Sequence, residues 1–184
     1  MKIFFDTEFT GLHKDTTLIS IGLIAENGRT FYAEFTDYDR SQVDEWISDN
    51  VLDNCTMCVV PDCEHNGPYV HSEVSAKGDV IECGNKATVA TQLKNWLENF
   101  GEKIFMVSDC LAYDWVLFCD LWAHAFKVPD CVYYIPIDIC AIMHIKDVDM
   151  DINREAFCGM DGAKHNALHD AKAIRLCYDK LMTL

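Results

Sequence analysis

The sequence has no uninterrupted apolar segment of the about 20 residues that a membrane-spanning helix requires. Its amino-terminal stretch, MKIFFDTEF, lacks the basic-then-apolar pattern of a secretory signal peptide and reaches an acidic residue at Asp6. Internal repeats and low-complexity tracts are also absent from the sequence. With 50% hydrophobic residues among 184, the chain can bury a full core. We therefore expect a cytoplasmic, soluble protein without membrane association, in which residues 1–184 form a single domain.

Basic residues are scarce. The sequence has 15 Lys and Arg against 30 Asp and Glu, which gives a formal net charge of −15. Such a balance argues against a broad basic surface for duplex nucleic acid, because that kind of binding depends on many contacts between cationic side chains and phosphates. A nucleic-acid enzyme this acidic would need a small site with its own bound cations, or a short substrate.

Cysteine is abundant, with ten residues, yet no export signal accompanies it. In such a chain free thiols or metal ligands are expected more than disulfides. Several of the cysteines fall in an irregular Cys/His-rich insertion, which we place at about residues 53–86. A long irregular segment of this kind is often functional or mobile.

The insertion offers zinc-like spacing in Cys55-x-x-Cys58. A structural Zn²⁺ site would use Cys55, Cys58, Cys63 and either His65 or Cys83. The usual paired CxxC…CxxC pattern is absent, and the alternative interpretation is that these are ordinary small core residues. Elemental analysis for zinc after mild EDTA treatment separates the two.

Hydrophobic periodicity divides the rest of the chain into strands and helices. Strands are predicted at residues 2–9, 18–25, 29–35, 103–109 and 133–139. Helices are predicted at residues 43–52, 88–100, 112–126 and 167–181. Asn27-Gly28 indicates a hairpin between the second and third strands. This order of elements predicts an α/β fold, a mixed central sheet flanked by helices.

Two carboxylates end the first strand. Asp6 and Glu8 are two residues apart, so they project from the same face of a strand. Burial of two neighbouring carboxylates is unfavourable unless a cation compensates them. Hard oxygen ligands on one face suit Mg²⁺ or Mn²⁺.

Acidic residues occur beside apolar segments at two further places in the sequence. Asp109 and Asp114 follow the short strand at residues 103–109, and Asp114 enters an apolar helix. Asp170 lies on the apolar stripe of the last helix, and His165 precedes that helix by two residues. An unpaired aspartate facing a core would be penalised, so we expect Asp170 to meet the strand carboxylates.

Three ordered blocks, FDTEFTGL, D-x-x-x-Y-D and HNALHDA, resemble those of the DEDDh family of 3′–5′ exonucleases. The DTEF…ISIG opening and the WISDNVL segment are most similar to the small exoribonuclease subfamily known from mycobacteria and phages. The resemblance implies a ribonuclease H-like fold. The middle block of that family usually begins with Asn, where this chain has Asp109. Of Asp109 and Asp114, we favour Asp114 as the ligand because Tyr113 supplies the aromatic residue that precedes it.

The resemblance also implies roles. Two Mg²⁺ or Mn²⁺ ions would be held by Asp6, which bridges them, by Glu8 and Asp170 at the first position and by Asp114 at the second. His165 would be the general base, because the family spacing selects it over His169. The product would be a 5′-mononucleotide.

Substrate contacts are expected from the segment after the carboxylate pair, which in the family backs the terminal base and sugar. The residues concerned are Thr7, Phe9, Thr10 and Leu12. The resemblance further implies a homodimer and single-stranded RNA or a short oligonucleotide as substrate. Two alternatives stay open: a hydrolase of di- or cyclic oligonucleotides with the same site, and a non-catalytic nucleic-acid-binding module on this fold.

Overall fold

The computed structural model describes residues 1–57, 71–162 and 164–184. Its centre is a mixed sheet whose strands are β1 (Lys2–Phe9), β2 (Leu18–Ala25), β3 (Thr30–Phe35), β4 (His71–Val74), β5 (Val80–Gly84), β6 (Phe105–Ser108) and β7 (Ile137–Asp138). They lie in the order β4-β5-β3-β2-β1-β6-β7. The β1–β2 and β2–β3 pairs are antiparallel, whereas β1–β6, β6–β7 and β3–β5 are parallel.

Helices cover both faces of this sheet: α1 (Glu45–Asn50), α2 (Lys86–Glu98), α3 (Asp114–Asp120), α4 (Ile139–Ile145), α5 (Arg154–Cys158) and α6 (Ala167–Leu181). The predicted α/β architecture, a mixed sheet flanked by helices, is confirmed, and it is consistent with a ribonuclease H-like fold. Within the described ranges, no helix combines the length and apolar character needed to cross a membrane.

Strand alternation builds a core on each face. Ile3 and Phe5 of β1 pack with residues of α2 and α3, such as Leu93 and Phe118. Phe4 of β1 points to the other face, where it packs with α4 and with the apolar stripe of α6. Asp6 and Glu8 continue the line of Phe4, so they emerge on the α6 face.

The elements with strong local patterns match their predictions closely. The strands predicted at residues 2–9 and 18–25 and the helix predicted at residues 167–181 have the predicted bounds, and the turn at Asn27-Gly28 joins the second and third strands. The first and second predicted helices are found, shifted or shortened by two residues at each end, as Glu45–Asn50 and Lys86–Glu98.

Three predictions of secondary structure were wrong in extent. The helix predicted at 112–126 ends at Asp120, and its last part turns through Ala123, at φ 74°, into a short 3₁₀ segment. The strand predicted at 133–139 is reduced to Ile137–Asp138. The insertion is not wholly irregular, because β4 and β5 form an antiparallel pair within it.

Cys83 corrects the expectation of free thiols or metal ligands. It is disulfide-bonded, so it is no longer a free thiolate for the alternative zinc set. Cys55 is a free, partly buried thiol. The other zinc candidates, Cys58, Cys63 and His65, lie outside the described residues.

Gly22 allows helix α6 to lie against the sheet. It pairs with Asp6 across β1 and β2, and an added Cβ would lie 2.2–2.4 Å from backbone atoms of Ala167 and Leu168. Because backbone cannot move aside as a flexible side chain can, we expect Gly22→Ala to destabilise the protein by about 3 kcal/mol or more. Urea unfolding measures this.

Gly84→Ala is the matched control, since Gly84 is also a strand glycine and its added Cβ would approach side-chain atoms, of Thr88 at 3.2 Å and of Glu82 at 3.8 Å. Equal effects of the two substitutions would contradict the close approach of α6 at Gly22.

Candidate active site

The site forms where the parallel pairing of β1 with β6 ends. Phe4 of β1 pairs with Val107 of β6, so Asp6 and Asp109 each lie two residues beyond that pair. Ligand sites commonly form at the carboxyl ends of parallel strands, where side chains from separate segments converge. The two elements therefore bring the first and second acidic segments of the sequence to one place.

The first carboxylate cluster consists of Asp6, Glu8 and Asp170, which each place an oxygen within 4.8 Å of the others. Asp170 lies in the first turn of α6, and the contact of that helix with β2 over Gly22 carries it to β1. The backbone amides of His165 and Asn166 lie near its carboxylate. The sequence-based expectation that Asp170 meets the strand carboxylates is met by this geometry.

The second cluster consists of Asp6, Asp109 and Asp114, again with ligand atoms within 4.8 Å of one another. Asp114 begins α3 and is buried, with 6% of its surface exposed. The Thr7 hydroxyl donates to Asp114 Oδ1 at 2.5 Å, and the Ser108 hydroxyl donates to Oδ2 at 2.9 Å. Asp6 thus belongs to both clusters. Asp109 and Asp114, the two candidate ligands of the middle sequence block, both lie in the second cluster.

Burial and mutual repulsion shift the pKa values of these carboxyl groups upward. Desolvation raises the pKa of Asp6 well above its ordinary value, and the neighbouring carboxylates, Asp114 first, add to it. Desolvation, assisted by Asp170 and Asp114, raises the pKa of Glu8 to about 8. The pKa of Asp114 rises to about 7 through burial, although hydrogen bonds from Thr7 and Ser108 oppose the rise. Burial followed by repulsion from Glu155 raises the pKa of Asp170 to about 7.

The raised pKa values of these carboxyl groups bear on whether a divalent cation fits between them. Four crowded carboxylates resist ionisation together, and a bound cation is the kind of partner that removes this penalty. The donors are hard oxygens, which suits Mg²⁺ or Mn²⁺. Each of the two clusters, which share Asp6, offers three carboxylates that could hold such an ion.

His165 stands beside the clusters in a left-handed backbone conformation, with φ 60°. Its loop is tied to the 3₁₀ turn Leu52–Asn54: Asn54 Nδ2 donates to the Lys164 carbonyl at 3.1 Å, and Asn166 Nδ2 donates to the Asn54 carbonyl at 3.0 Å. The ring of Trp46 meets the imidazole edge-on, with centroids 5.0 Å apart. Burial lowers the pKa of His165 and the Lys164 ammonium lowers it further, which favours the neutral imidazole.

A cavity of about 500 Å³ joins the carboxylates, His165 and one face of α1. Leu12, which lines it, is 78% exposed, and Trp46 on the α1 side is 55% exposed. Phe9 also lines the cavity, but its ring is stacked on Tyr113 at 5.3 Å.

The two threonines of the predicted substrate segment are buried and already hydrogen-bonded. The Thr7 hydroxyl serves Asp114. Thr10 is 2% exposed, is not among the described residues that line the cavity, and bonds to Gln42, Thr17 and Thr16. Its side chain therefore fixes the loop that carries Leu12.

Sequence reasoning missed two groups of site residues. Trp46 falls within the helix predicted at residues 43–52, and no sequence signal marks it as a site residue. In the structure it is 55% exposed and lines the cavity beside the buried Ile47. Arg154 and Glu155, from α5, line a second cavity of about 290 Å³ that opens onto Asp6 and Asp170. The α5 segment carried no distinguishing sequence signal.

His169, which the family spacing does not select as the base, lies in α6 next to Asp170 of the first cluster. It forms a further close group with Glu155 and Asp170. Its Nε2 is inaccessible and has no hydrogen-bond partner among the described residues.

The sequence is similar to known 3′–5′ exoribonucleases. A profile of the family described as the 3′–5′ exoribonuclease Rv2179c-like domain matches residues 1–182. Two curated relatives from Mycobacterium tuberculosis strains, the 3′–5′ exoribonucleases Rv2179c and MT2234.1, are each 42% identical to this chain over 52 residues. Those residues are 28% of this chain and 31% of each relative, so the matched region spans about a third of their length.

Proposed function

Because the chain belongs to the family of Rv2179c-like 3′–5′ exoribonuclease domains, we propose that it is a two-metal-ion 3′–5′ exonuclease. It releases 5′-mononucleotides from single-stranded RNA or short oligoribonucleotides. The observation that carries this proposal is the pair of carboxylate clusters that share Asp6 and open, with His165, into one cavity. Asp6, Glu8 and Asp170 would hold one ion, and Asp6 and Asp114 would hold the other. When bound, the ions supply charge stabilisation to the attacking and leaving oxygens of the phosphodiester.

His165 acts as the general base. Its imidazole is neutral near pH 7 because burial and Lys164 lower its pKa, so it can accept the proton of the attacking water. The cross-links through Asn54 and Asn166 hold its loop against the turn at Leu52–Asn54. Thr7 and Ser108 orient Asp114 through their hydroxyl groups.

We expect His165→Ala to lower kcat by about 10²- to 10⁴-fold while leaving metal binding nearly unchanged, since the imidazole transfers a proton and holds no ion. Single-turnover cleavage of a short RNA, with Mn²⁺ titration of the same protein, measures both. His144→Ala is the control, because His144 lies in α4, outside both cavities of the site. Unchanged kcat, or loss of metal binding equal to that of a carboxylate variant, would contradict the role as base.

Leu12 and Trp46 flank the cavity as exposed apolar surfaces, and we assign to them the terminal base. Stacking or apolar contact with a base contributes about 1–3 kcal/mol. Leu12→Ala and Trp46→Ala are therefore expected to raise KM about fivefold to a hundredfold with a smaller change in kcat. Leu176→Ala, at a 42% exposed position on α6, is the control. An unchanged KM in both site variants would exclude them as base contacts.

The acidic composition bears on substrate length. A net charge of −15 leaves few cations for a long phosphate track, which favours a substrate that engages mainly through its 3′ end. The proposed ions offset part of this charge locally. Hydrolysis of di- or cyclic oligonucleotides at the same site is the second candidate, supported by this same scarcity of cations.

The experiment that tests the function is digestion of 5′-labelled single-stranded RNA and its DNA counterpart with Mg²⁺, with Mn²⁺ and with EDTA. A ladder that shortens from the 3′ end and disappears in EDTA supports the exonuclease. Cleavage of dinucleotides alone would favour the small-substrate enzyme. No cleavage of any of them by folded protein would leave a non-catalytic binding module.

We further propose that the protein acts as a homodimer in the cytoplasm. Sedimentation at micromolar concentration tests the first part, and a single species with the mass of one 21.0 kDa chain would overturn it.

A further inference from the structure

Asp109 forms an ion pair with Arg154. Arg154 Nε donates to Asp109 Oδ2 at 2.7 Å, and the two side chains are only 17% and 18% exposed. Asp109 is at the same time a member of the second carboxylate cluster, with Asp6 and Asp114. The charge of Arg154 therefore lies one side chain away from the proposed second metal position.

The guanidinium of Arg154 is held at several points. Besides Asp109, it donates from Nη1 to the Ile152 carbonyl at 2.6 Å and from Nη2 to Cys140 Sγ at 3.2 Å. Arg154 also opens α5, whose amino end is capped by Asn153. A cation fixed in this way keeps its place whether or not the cluster holds an ion.

Partial burial makes this charge effective. Charges that are mostly removed from water interact more strongly than exposed ones, because solvent screens them less. With Arg154 in place, the Asp109–Arg154 pair adds no net charge to the site. Without Arg154, Asp109 would add a full negative charge beside Asp6 and Asp114.

We propose that Asp109 and Arg154 act as a coupled charge pair that sets the cation affinity of the second metal position. Arg154 is a positioning residue that acts through Asp109, and it offsets the charge that Asp109 brings to the cluster. This inference rests on the proposed two-ion function and assigns one of its determinants to α5, outside the three acidic blocks.

The pair predicts effects of opposite sign. Asp109→Asn leaves the Arg154 charge uncompensated next to the cluster, so binding of a cation weakens. Arg154→Gln leaves Asp109 uncompensated, so binding tightens. The double variant removes both charges and returns the affinity to that of the original protein. Partners of this kind next to metal ligands change affinity by about 10- to 100-fold.

The test is titration of the complete protein with Mn²⁺ alone, following the free ion by electron paramagnetic resonance, for the four members of this double-mutant cycle. We expect the weaker of two Mn²⁺ affinities to fall about tenfold in Asp109→Asn, to rise about tenfold in Arg154→Gln and to change less than about threefold in the double variant. Arg154→Lys keeps the charge and should stay nearer to the original protein than Arg154→Gln does. Thermal unfolding of each variant confirms that it is folded.

The ion pair Lys2–Glu26 supplies the matched control. It has a similar length, 2.8 Å, and Lys2 lies at the other end of β1 from Asp6. Lys2→Gln and Glu26→Gln change the total charge by the same amounts as the test variants, and neither should alter Mn²⁺ affinity more than about twofold, because exposed charges at a distance are screened.

Each outcome bears on the proposal. If the double variant binds as weakly as Asp109→Asn, Asp109 is a direct ligand and the charge-pair inference fails. Weaker binding in Arg154→Gln, or four equal affinities, overturns it as well. If the original protein binds no Mn²⁺, the proposed two-ion function itself is wrong. If it binds two ions and all four proteins have equal affinities, only the charge-pair inference is wrong.

Discussion

Replacing Asp6 with asparagine should lower the rate of RNA cleavage by about a thousandfold or more, and should make the metal-free protein more stable. Asp6 is the one carboxylate that both clusters share, so its loss weakens both proposed ion positions at once. Its pKa is raised well above the ordinary value, first by desolvation and then by Asp114 and Glu8. An amide of the same shape has no proton to bind and no charge to repel.

The gain in stability should be about 1–3 kcal/mol at pH 8 in EDTA, the scale on which removal of an unfavourable buried charge acts. Thermal unfolding and single-turnover cleavage measure the two effects on the same preparation. Asp15→Asn is the control, since Asp15 is an exposed residue on the loop after β1 and should leave both unchanged. A destabilised Asp6→Asn protein, or one with full activity, would contradict a site built for bound cations.

The sequence predicted the parts of the fold whose patterns are local. In β2 every residue is buried, and its continuous apolar run, bounded by a hairpin signal, marked it as a strand. The stripe of Ile174, Cys177 and Leu181 marked α6 in the same way. Both elements carry enough periodicity to be recognised without knowledge of their neighbours.

Elements whose form depends on distant partners were mispredicted. β7 is only Ile137–Asp138, because its extent is set by pairing with two residues of β6. The apolar run continues past Asp120 through Leu121 and Trp122, which pack against the core from a turn and not from a helix. A periodic pattern predicts burial in such places, but the backbone form follows from tertiary contacts.

The residues of the candidate site likewise divide into those marked by local sequence motifs and those brought in by tertiary packing. Asp6, Glu8, Asp114, His165 and Asp170 were predicted from three ordered blocks, and the structure brings them to one cavity. Arg154 could not be predicted, since its relation to Asp109 joins segments 45 residues apart that share no motif. Trp46 is exposed at the cavity whereas its neighbour Ile47 is buried, a difference that the packing of α1 determines and that the apolar pattern does not show.

Without bound metal, the protein should lose stability as the pH rises from 5 to 8, and divalent cations should reverse that trend. The pKa values of Glu8, at about 8, and of Asp114 and Asp170, at about 7, exceed the ordinary values of 3.8 to 4.5. In the unfolded chain these groups release their protons near pH 4, whereas the folded site keeps them until pH 7 to 8. Between these limits the folded state binds more protons, so unfolding becomes easier as the pH rises.

Carboxylates with lowered pKa values do not obscure this trend. Asp39, Asp79 and Glu26 have pKa values below their ordinary values, mainly through hydrogen bonds that favour the ionised form. Their contribution is already complete above the ordinary carboxylate pKa and is lost only in more acidic solution. Within the window from pH 5 to 8, the lowered pKa of His165 acts in the opposite direction, because the unfolded chain then holds the extra proton. It is one group against the four clustered carboxylates with raised pKa values, and buried Glu82, whose pKa is also raised, acts in the same direction as they do.

Thermal unfolding in EDTA should accordingly show a Tm about 5 °C or more lower at pH 8 than at pH 5, where 1 kcal/mol corresponds to about 2–4 °C in a protein of this size. Mn²⁺ or Mg²⁺ in millimolar excess should raise the Tm most at pH 8, because cations replace protons that have already left, and least at pH 5. In Asp6→Asn both the pH slope in EDTA and the response to cations should shrink, since the shared carboxylate is gone. A Tm that is independent of pH in EDTA, or a cation response that grows toward acidic pH, would show that the clustered carboxylates are not what couples protons, cations and folding in this protein.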